Sequence, residues 1–285
     1  MNKIKQAVLT MDVEDWYHLD YFNRKDCNED YSMLDGLNNY LEILENYCIP
    51  SNFFVLGELA IPLKNILREI AQGKHEISSH GWNHKRPMKL NLQEFKNDII
   101  KSKDVLEDIT GQDIIGYRAP CFSMDRNRVD LLIEAGYSYD SSKIKFTNHP
   151  LYGDIDLFGF ETLSPNIYKF NNFYEFEIST ENILGRNIPV SGGGYIRLLP
   201  WLVMKKMISS YLSHSDLYIF YIHPFEFSFK KNPIFPKKSK WNEKHRFSFG
   251  RDSVTKKFQF LLEHLKLNGF EFTTFKDMIN QNEYK

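Results

Sequence analysis

Two histidines with the spacing of metal ligands are the first residues in this sequence that could do chemistry. Residues 75–84 read H-E-I-S-S-H-G-W-N-H, which places His80 and His84 four positions apart with Gly81 between them. On a helical turn, this spacing puts both imidazoles on one face, where they can reach one metal ion at about 2.0–2.1 Å. Gly81 would let the backbone bend there without the steric penalty of a Cβ atom. Two histidines at this spacing are as common on an ordinary protein surface as in a metal site. A metal site here therefore also requires a carboxylate ligand.

Carboxylates follow the first predicted strand. Residues 7–11 have the apolar pattern of a short buried strand, and Asp12, Glu14 and Asp15 come directly after it. The carboxyl ends of strands are where α/β sheets and barrels place their chemistry. Acidic groups this close together repel one another, and at a strand end they favour a bound cation over an ordinary surface loop.

Composition excludes several classes of protein. The 285 residues include 36 Lys and Arg against 37 Asp and Glu, so a net charge of −1 gives no reason to expect nucleic acid as a partner. Three scattered cysteines, Cys27, Cys48 and Cys121, are typical of reduced thiols. No segment has the ~20 apolar residues that span a bilayer, and the N-terminal apolar run is too short for a signal peptide. We therefore expect a cytoplasmic protein with no stable membrane insertion.

Apolar periodicity predicts strands that alternate with amphipathic helices. The predicted strands are residues 7–11, 52–56, 75–78, 113–117, 137–139, 217–222 and 270–273. The predicted helices are residues 32–48, 59–70, 92–109, 129–135, 201–211 and 254–265. This alternation indicates a parallel α/β sheet or barrel, and the absence of repeats and linkers indicates one domain over residues 1–285.

Three segments depart from this alternation. Residues 146–190 are rich in Phe, Tyr, Asn and Gly and predict a β-rich insertion that decorates the barrel. Residues 191–197 read S-G-G-G-Y-I-R and predict a tight turn, since the G-K-[S/T] of a phosphate-binding loop does not follow. Residues 230–251 carry eight Lys and Arg against one acid, Glu243, and predict a solvated loop that could meet an anionic substrate.

Five motifs in order carry a resemblance to a known family. M-D-V-E-D, S-H-G-W-N-H, Y-R-A-P-C-F-S, Y-D-S-S and Y-I-H-P resemble the NodB-homology polysaccharide deacetylases, carbohydrate esterase family 4, from about residue 6 to 275. D-V-E-D-W-Y-H, G-G-G-Y-x-R-x-L-P and Y-x-H-P-F-E resemble the branch associated with bacterial exopolysaccharide loci. The resemblance implies an irregular (β/α) barrel, TIM-like but distorted, and a hydrolase of linear amide C–N bonds.

The resemblance also implies a divalent metal, usually zinc, with Co²⁺, Ni²⁺ and Mn²⁺ as other candidates. One Asp and two His hold it in the family, and His80 and His84 match the histidines. The first motif departs from the commoner T-F-D-D, in which the first Asp is the general base and the second binds the metal. Here Asp12 matches the base, and the metal carboxylate is either Asp15, which has the expected residue type, or Glu14, which lies closer to Asp12. If the family motif is instead aligned with Glu14 at the position of its first Asp, Glu14 would be the base.

The remaining roles come from the later motifs. By resemblance, His223 protonates the departing sugar amine, and the backbone N–H of Cys121 holds the oxyanion. Arg118 would orient the Asp12 carboxylate and favour its ionised form. Asp140 or a neighbour could keep His223 protonated.

The function implied is removal of an N-acetyl or similar short acyl group from an amino sugar of a glycan or glycan precursor. Trp82 and Trp16 either wall the sugar site or simply pack. One alternative is a deformylase or amidohydrolase acting on a lipid-linked or small-molecule amide, which the basic segment at 230–251 would suit. The other is a non-catalytic sugar-binding protein. The presence of Asp12, His80, His84, Arg118 and His223 argues against it.

Overall fold

A long buried strand is the centre of the molecule. The computed structural model describes residues 4–146 and 149–281; residues 147 and 148 of the predicted insertion and both ends of the predicted domain, 1–3 and 282–285, lie outside the described residues. Strand β1 (Lys5–Val13) is buried over all of its length except Lys5, as expected for a parallel strand covered on both faces, and its buried residues include the polar Gln6, Thr10 and Asp12. It is longer than predicted and includes Asp12 at its carboxyl end.

Strands from distant parts of the chain assemble around β1. In chain order they are β2 (Asn52–Val55), β3 (Glu76–Ser79), β4 (Gly116–Tyr117), β5 (Tyr139–Asp140), β6 (Glu161–Ser164), β7 (Ile167–Phe170), β8 (Phe173–Phe176), β9 (Thr180–Ile183), β10 (Arg186–Pro189), β11 (Leu217–Ile222) and β12 (Phe270–Thr273). Within the described residues, one sheet has the order β11-β1-β2-β3-β4-β5-β8-β7-β6, and β12 also pairs with β1. Strands β9 and β10 form a separate hairpin.

The sheet is parallel from β11 to β8 and antiparallel from β8 to β6. The predicted insertion is therefore not a decoration, because β8 continues the main sheet by pairing in parallel with β5. The result is a curled, mixed sheet that forms a half-barrel with its helices.

Helices surround the sheet. They are α1 (Asp35–Tyr47), α2 (Lys64–Gln72), α3 (Leu92–Thr110), α4 (Arg126–Glu134), α5 (Gly193–Leu198), α6 (Trp201–Leu212), α7 (Pro224–Phe227), α8 (Trp241–Ser248), α9 (Val254–Leu267) and α10 (Phe275–Asn280). Most of them pack against the face opposite Val8, whereas α10 packs with Val8 through Phe275 and Met278. Among the described residues, none of these helices combines the length and the apolar character that crossing a bilayer requires. The cytoplasmic location expected from the sequence stays a prediction.

Two segments fold differently from their sequence-based predictions. The sequence of residues 191–197 predicts a tight turn, but Gly192 is the N-cap of α5, and Gly193 and Gly194 begin this short helix. The basic segment 230–251 was expected to be a loop, but it contains α8, whose Phe247 is buried in an aromatic cluster with Trp16 and Phe225.

The side chains of β1 alternate between two apolar clusters. Leu9, Met11 and Val13 belong to the large core between the sheet and the helices. Val8 belongs to a second cluster on the opposite face of the sheet. Because successive side chains of a strand point to opposite faces, Asp12 is directed to the same concave face as Val8.

Candidate active site

Strand alternation separates the three carboxylates that follow β1. Asp12 and Glu14 are two residues apart and therefore share the concave face, whereas Asp15 points the other way. Asp15 caps the turn that follows the strand: its Oδ1 accepts hydrogen bonds from the backbone N–H of Trp16 at 2.8 Å and of Met33 at 2.9 Å. Burial raises the pKa of Asp15. Of the two candidate metal carboxylates, Glu14 is the one that faces the histidines.

Glu14, His80 and His84 converge on one point. One potential ligand atom from each residue lies within 4.8 Å of the others, which makes them the one such group in the part of the chain that the structure describes. The predicted helical turn is wrong: residues 80–86 form an irregular loop after β3, in which Gly81 has φ +76° and His84 has φ +61°. The left-handed backbone at Gly81, which glycine adopts without a Cβ penalty, lets the chain fold back so that both rings meet.

The donor atoms of this group fit a divalent metal. Nδ1 of His80 donates to the Arg118 carbonyl at 2.8 Å, which leaves its Nε2 as an unprotonated ligand atom. Burial lowers the pKa of His80 to about 4, so the ring is neutral, as a ligand must be. Oε2 of Glu14 is buried and accepts no hydrogen bond of acceptable geometry from the described residues, although Nε2 of His84 lies 2.6 Å away. Two imidazoles and a carboxylate are a donor set typical of zinc sites that keep an open position.

Glu14 is held in its ionised form. Burial alone would raise its pKa, but the close ion pair with His84 and the charge of His223 outweigh that effect and lower the pKa to about 2. A carboxylate that stays ionised over the whole physiological range is ready to bind a cation.

Asp12 lies beside the Glu14 group and is paired with a buried cation. Nη1 of Arg118 donates to Oδ1 of Asp12 at 2.8 Å and to the hydroxyl of Thr10 at 2.6 Å. Arg118 is fully buried, is anchored by Ser141 and lies 4.1 Å above the ring of Phe54. The contact predicted between Arg118 and Asp12 is present, and it fixes the orientation of the Asp12 carboxylate.

His223 approaches the group from the end of β11. Its Nε2 lies 3.3 Å from Glu14 Oε1, and its Nδ1 lies 3.2 Å from Oε2 of Glu226. Burial would lower the pKa of His223, but the hydrogen bond to Glu226 and the charges of Glu14 and Glu226 raise it to about 9. Glu226 in turn accepts a hydrogen bond of 2.6 Å from Nε of the buried Arg197.

Glu226 was missed from the sequence, and Asp140 was wrongly considered for its place. Asp140 accepts from the Ser142 hydroxyl at 2.7 Å and lies beside Glu175 on the neighbouring strand. The signal for Glu226 was present in H-P-F-E, where the glutamate stands three positions after His223 at the start of α7. Residues three apart on a helical turn are neighbours, so this spacing could have identified it.

The glycine run at the start of α5 makes room for this glutamate. A Cβ atom at Gly193 would lie 2.0 Å from Oε2 of Glu226, and one at Gly192 would lie 2.6 Å from the hydroxyl of Tyr221. The run therefore allows close approach between α5 and the His223–Glu226 pair.

These groups open into one cavity of about 420 Å³, a size typical of small-ligand sites. Its lining includes Asp12, Glu14, His80, His84, Cys121, Tyr152, Tyr195, His223 and Arg246.

Of the predicted substrate contacts, Cys121 lines the cavity, and its thiol donates to Asp20 at 2.8 Å. Trp82 and Trp16 do not line the cavity: Lys101 lies 3.4 Å over the Trp82 ring beside a shallower depression, and Trp16 is buried in the core. Both tryptophans therefore pack and do not wall this site.

Comparisons with known proteins agree with the motifs. Residues 29–139 match the family model for polysaccharide deacetylase, and residues 141–280 match a domain of unknown function, DUF3473. The chain carries a polysaccharide deacetylase domain of the NodB-homology type, carbohydrate esterase family 4, as the resemblance predicts. The exopolysaccharide-locus branch stays a prediction.

Two curated relatives are peptidoglycan deacetylases. The Helicobacter pylori peptidoglycan deacetylase is 26% identical over 117 residues, which cover 41% of this chain and 40% of the relative. The Bacillus cereus peptidoglycan-N-acetylglucosamine deacetylase is 35% identical over 71 residues, 25% of this chain and 26% of the relative. The matched part is therefore well under half of either relative's length.

A solved structure extends the similarity to the whole fold. A Mycobacterium smegmatis protein assigned to the polysaccharide deacetylases superimposes with a TM-score of 0.63, covering 99% of this chain and 91% of that one at 16% sequence identity. This confirms the predicted fold class, an irregular (β/α) barrel, here as a curled half-barrel.

Proposed function

We propose that this chain is a metal-dependent deacetylase that removes an N-acetyl or similar short acyl group from an amino sugar in a glycan or glycan precursor. The observation that carries the proposal is the arrangement of three groups at one cavity. Glu14, His80 and His84 form a possible metal site, with the Asp12–Arg118 pair and the His223–Glu226 pair beside it. The peptidoglycan deacetylases among its relatives support an N-acetylated sugar as substrate.

Glu14, His80 and His84 would hold the metal, with zinc favoured by the two-nitrogen, one-carboxylate donor set. When bound, a divalent cation supplies Lewis-acid chemistry: it polarises an acyl carbonyl and lowers the pKa of water. The hydrogen bond from His80 Nδ1 to the Arg118 carbonyl fixes the ring so that Nε2 is directed toward Glu14 and His84.

Asp12 would act as the general base. Its carboxylate borders the cavity next to Glu14, and Arg118 holds one of its oxygens at 2.8 Å, which leaves the other to take a proton from the attacking water. The position of Glu14 against both histidines supports this assignment over the registration in which Glu14 is the base.

His223 would act as the general acid. When the amide C–N bond breaks, the acyl group leaves as a carboxylate and the sugar nitrogen needs a proton to leave as an amine. Nε2 of His223 faces the cavity group while Nδ1 is held by Glu226, so Nε2 is the atom that donates. The backbone N–H of Cys121, a residue that lines the cavity, is proposed to stabilise the developing oxyanion.

Acetate release is the decisive measurement. Zinc-loaded protein should release acetate from N-acetylglucosamine oligomers, lose the activity on chelation, and regain it with Zn²⁺ or Co²⁺. His80→Ala should abolish both metal content and activity, whereas His214→Ala, in a distant surface pair with Glu181, should change neither. Formate release from an N-formyl sugar without acetate release would favour the deformylase alternative, and oligomer binding without either product would favour a sugar-binding protein.

A further inference from the structure

We propose that Arg246 forms an anion-binding subsite in this cavity, so that the preferred substrate carries a carboxylate or phosphate group next to its acylated sugar. This inference rests on the proposed function for the position of the acylated sugar, and it concerns a residue outside the catalytic groups.

Arg246 is the unbalanced charge of the cavity. The other arginines that border or support the site each have a carboxylate: Arg118 has Asp12, Arg197 has Glu226, and Arg86 has Asp20 at 3.5 Å. Arg246 lines the same cavity and makes no ion pair with any carboxylate in residues 4–146 and 149–281. A guanidinium without an ion-pair partner can offer its fork of N–H donors to an anionic ligand.

The position of Arg246 is fixed from both ends. Nη1 of Arg197 donates to the carbonyl oxygens of Arg246 at 2.9 Å, Phe247 at 2.8 Å and Phe249 at 3.1 Å, so the same arginine that holds Glu226 also anchors this segment. The guanidinium of Arg246 lies 4.8 Å over the ring of Tyr21. These contacts hold the backbone and the guanidinium of Arg246 at the cavity wall, while the residue remains exposed and therefore accessible to a dissolved ligand.

The cavity wall around Arg246 is aromatic. Tyr21, Tyr152, Tyr195 and His149 all line it, and the rings of His149 and Tyr152 lie 3.8 Å apart. Such rings offer apolar faces and hydroxyl groups to a sugar ring, and they carry no charge that could balance Arg246. Because Arg246 is exposed, its attraction for an anionic group would rest on paired, charge-assisted hydrogen bonds and would weaken as the salt concentration rises.

Oligomer binding tests the subsite without requiring turnover. Calorimetry on zinc-loaded Asp12→Asn protein would compare three oligomers of equal length that carry N-acetylglucosamine: one neutral, one with a uronic acid carboxylate, and one with a phosphate monoester. The same titrations would be run with Arg246→Gln, Arg246→Lys and Lys244→Gln added. Lys244→Gln is the matched control, because it removes one positive charge from the same helix at a residue outside the cavity.

At least one acidic oligomer should bind about tenfold or more tightly than the neutral one, as expected for charge-assisted hydrogen bonds. Arg246→Gln should remove that preference without weakening neutral-oligomer binding, Arg246→Lys should keep part of it, and Lys244→Gln should keep all of it. Comparison of the two acidic oligomers identifies whether the group is a carboxylate or a phosphate.

Three results would overturn the subsite: no preference for either acidic oligomer, a preference that survives Arg246→Gln, or an equal loss in Lys244→Gln. A failure of the proposed function looks different. Acetate release from neutral oligomers without acidic preference would refute the subsite alone, and acidic preference without acetate release from any oligomer would refute the deacetylase alone.

Discussion

At the scale of single residues, one step along the chain decides the chemistry of the carboxylates after β1. Glu14 lies on the concave face with Asp12, and Asp15 lies on the opposite face, where it caps a turn. The rule that side chains alternate along an extended chain could have decided between them from the sequence. The residue type favoured Asp15, and the geometry of the strand favours Glu14.

Metal affinity should therefore separate the two residues. Glu14→Gln should weaken zinc binding by more than about 100-fold, since loss of outer-shell partners alone costs about 10–100-fold. Asp15→Asn should retain stoichiometric zinc, because its contacts are with backbone N–H groups of the turn. Metal content after dialysis against a zinc buffer measures both. The reverse order of affinities would return the ligand role to Asp15.

Glu226 should act through His223 and not on the substrate directly. Glu226→Gln should lower kcat on an N-acetylated sugar by about 100-fold or more, because it removes the carboxylate that holds the proton donor. The loss should be much smaller on an activated aryl acetate, whose phenolate leaves without a proton. Zinc content should not change.

A second Glu–His pair provides the control for this variant. Glu181→Gln breaks the pair with His214, whose atoms lie 2.9 Å apart and far from the cavity lining, and it should leave both substrates unaffected. Equal losses of Glu226→Gln on amide and ester would show that Glu226 supports the fold and not proton donation.

At the scale of elements, the parallel pairing of β5 with β8 places two buried carboxyl groups side by side. Asp140 and Glu175 are register partners, and both are fully buried. Burial and the charge of Asp140 raise the pKa of Glu175 well above its ordinary value of 4.5, so the folded pair retains a proton that the unfolded chain releases. The backbone N–H groups of Ser142 and Lys143 donate to Glu175 at 3.2 and 2.8 Å.

This pair should make stability fall as pH rises. Between pH 4.5 and the raised pKa, the folded pair binds one more proton than the same two residues in the unfolded chain, so its contribution to the free energy of unfolding decreases by up to about 1.4 kcal/mol per pH unit. Glu175→Gln should flatten that part of the curve. Urea unfolding from about pH 5 to pH 8 measures the slope, and Glu161→Gln, at an exposed position on β6, serves as control. An unchanged slope in Glu175→Gln would mean that the pair does not share a proton.

Apolar periodicity predicted most elements because local burial decides them. Short apolar segments in the sequence predict β2, β11 and β12. Apolar residues at helical spacing predict α1, α3 and α9. Helix α8 was missed because its charged residues obscure the single buried side chain, Phe247. The place of β8 in the main sheet could not be predicted, because its partner β5 is a two-residue strand and nothing local specifies their pairing.

At the scale of the whole molecule, the site is assembled from both regions matched by family models and from the segment before them. Asp12 and Glu14 precede residue 29, His80 and His84 lie within 29–139, and His223 lies within 141–280. The sequence predicts all five as site residues, with Glu14 as the alternative to Asp15, from their places near strand ends and from the family motifs. It could not place Arg197 or Arg246, since their roles depend on how α5 and α8 meet in three dimensions.

The central position of β1 also orders events during synthesis. Among the described strands β1 is synthesised first, yet it pairs with β11 and β12, which are synthesised last. Until those strands emerge, one edge of a strand that is buried in the folded protein has no partner and can pair with neighbouring nascent chains instead. Such long-range pairing is slow to form. Chaperone occupancy of the segment around β1 should therefore persist until residues 217–273 have been synthesised, and translational stalling before residue 217 should produce aggregates.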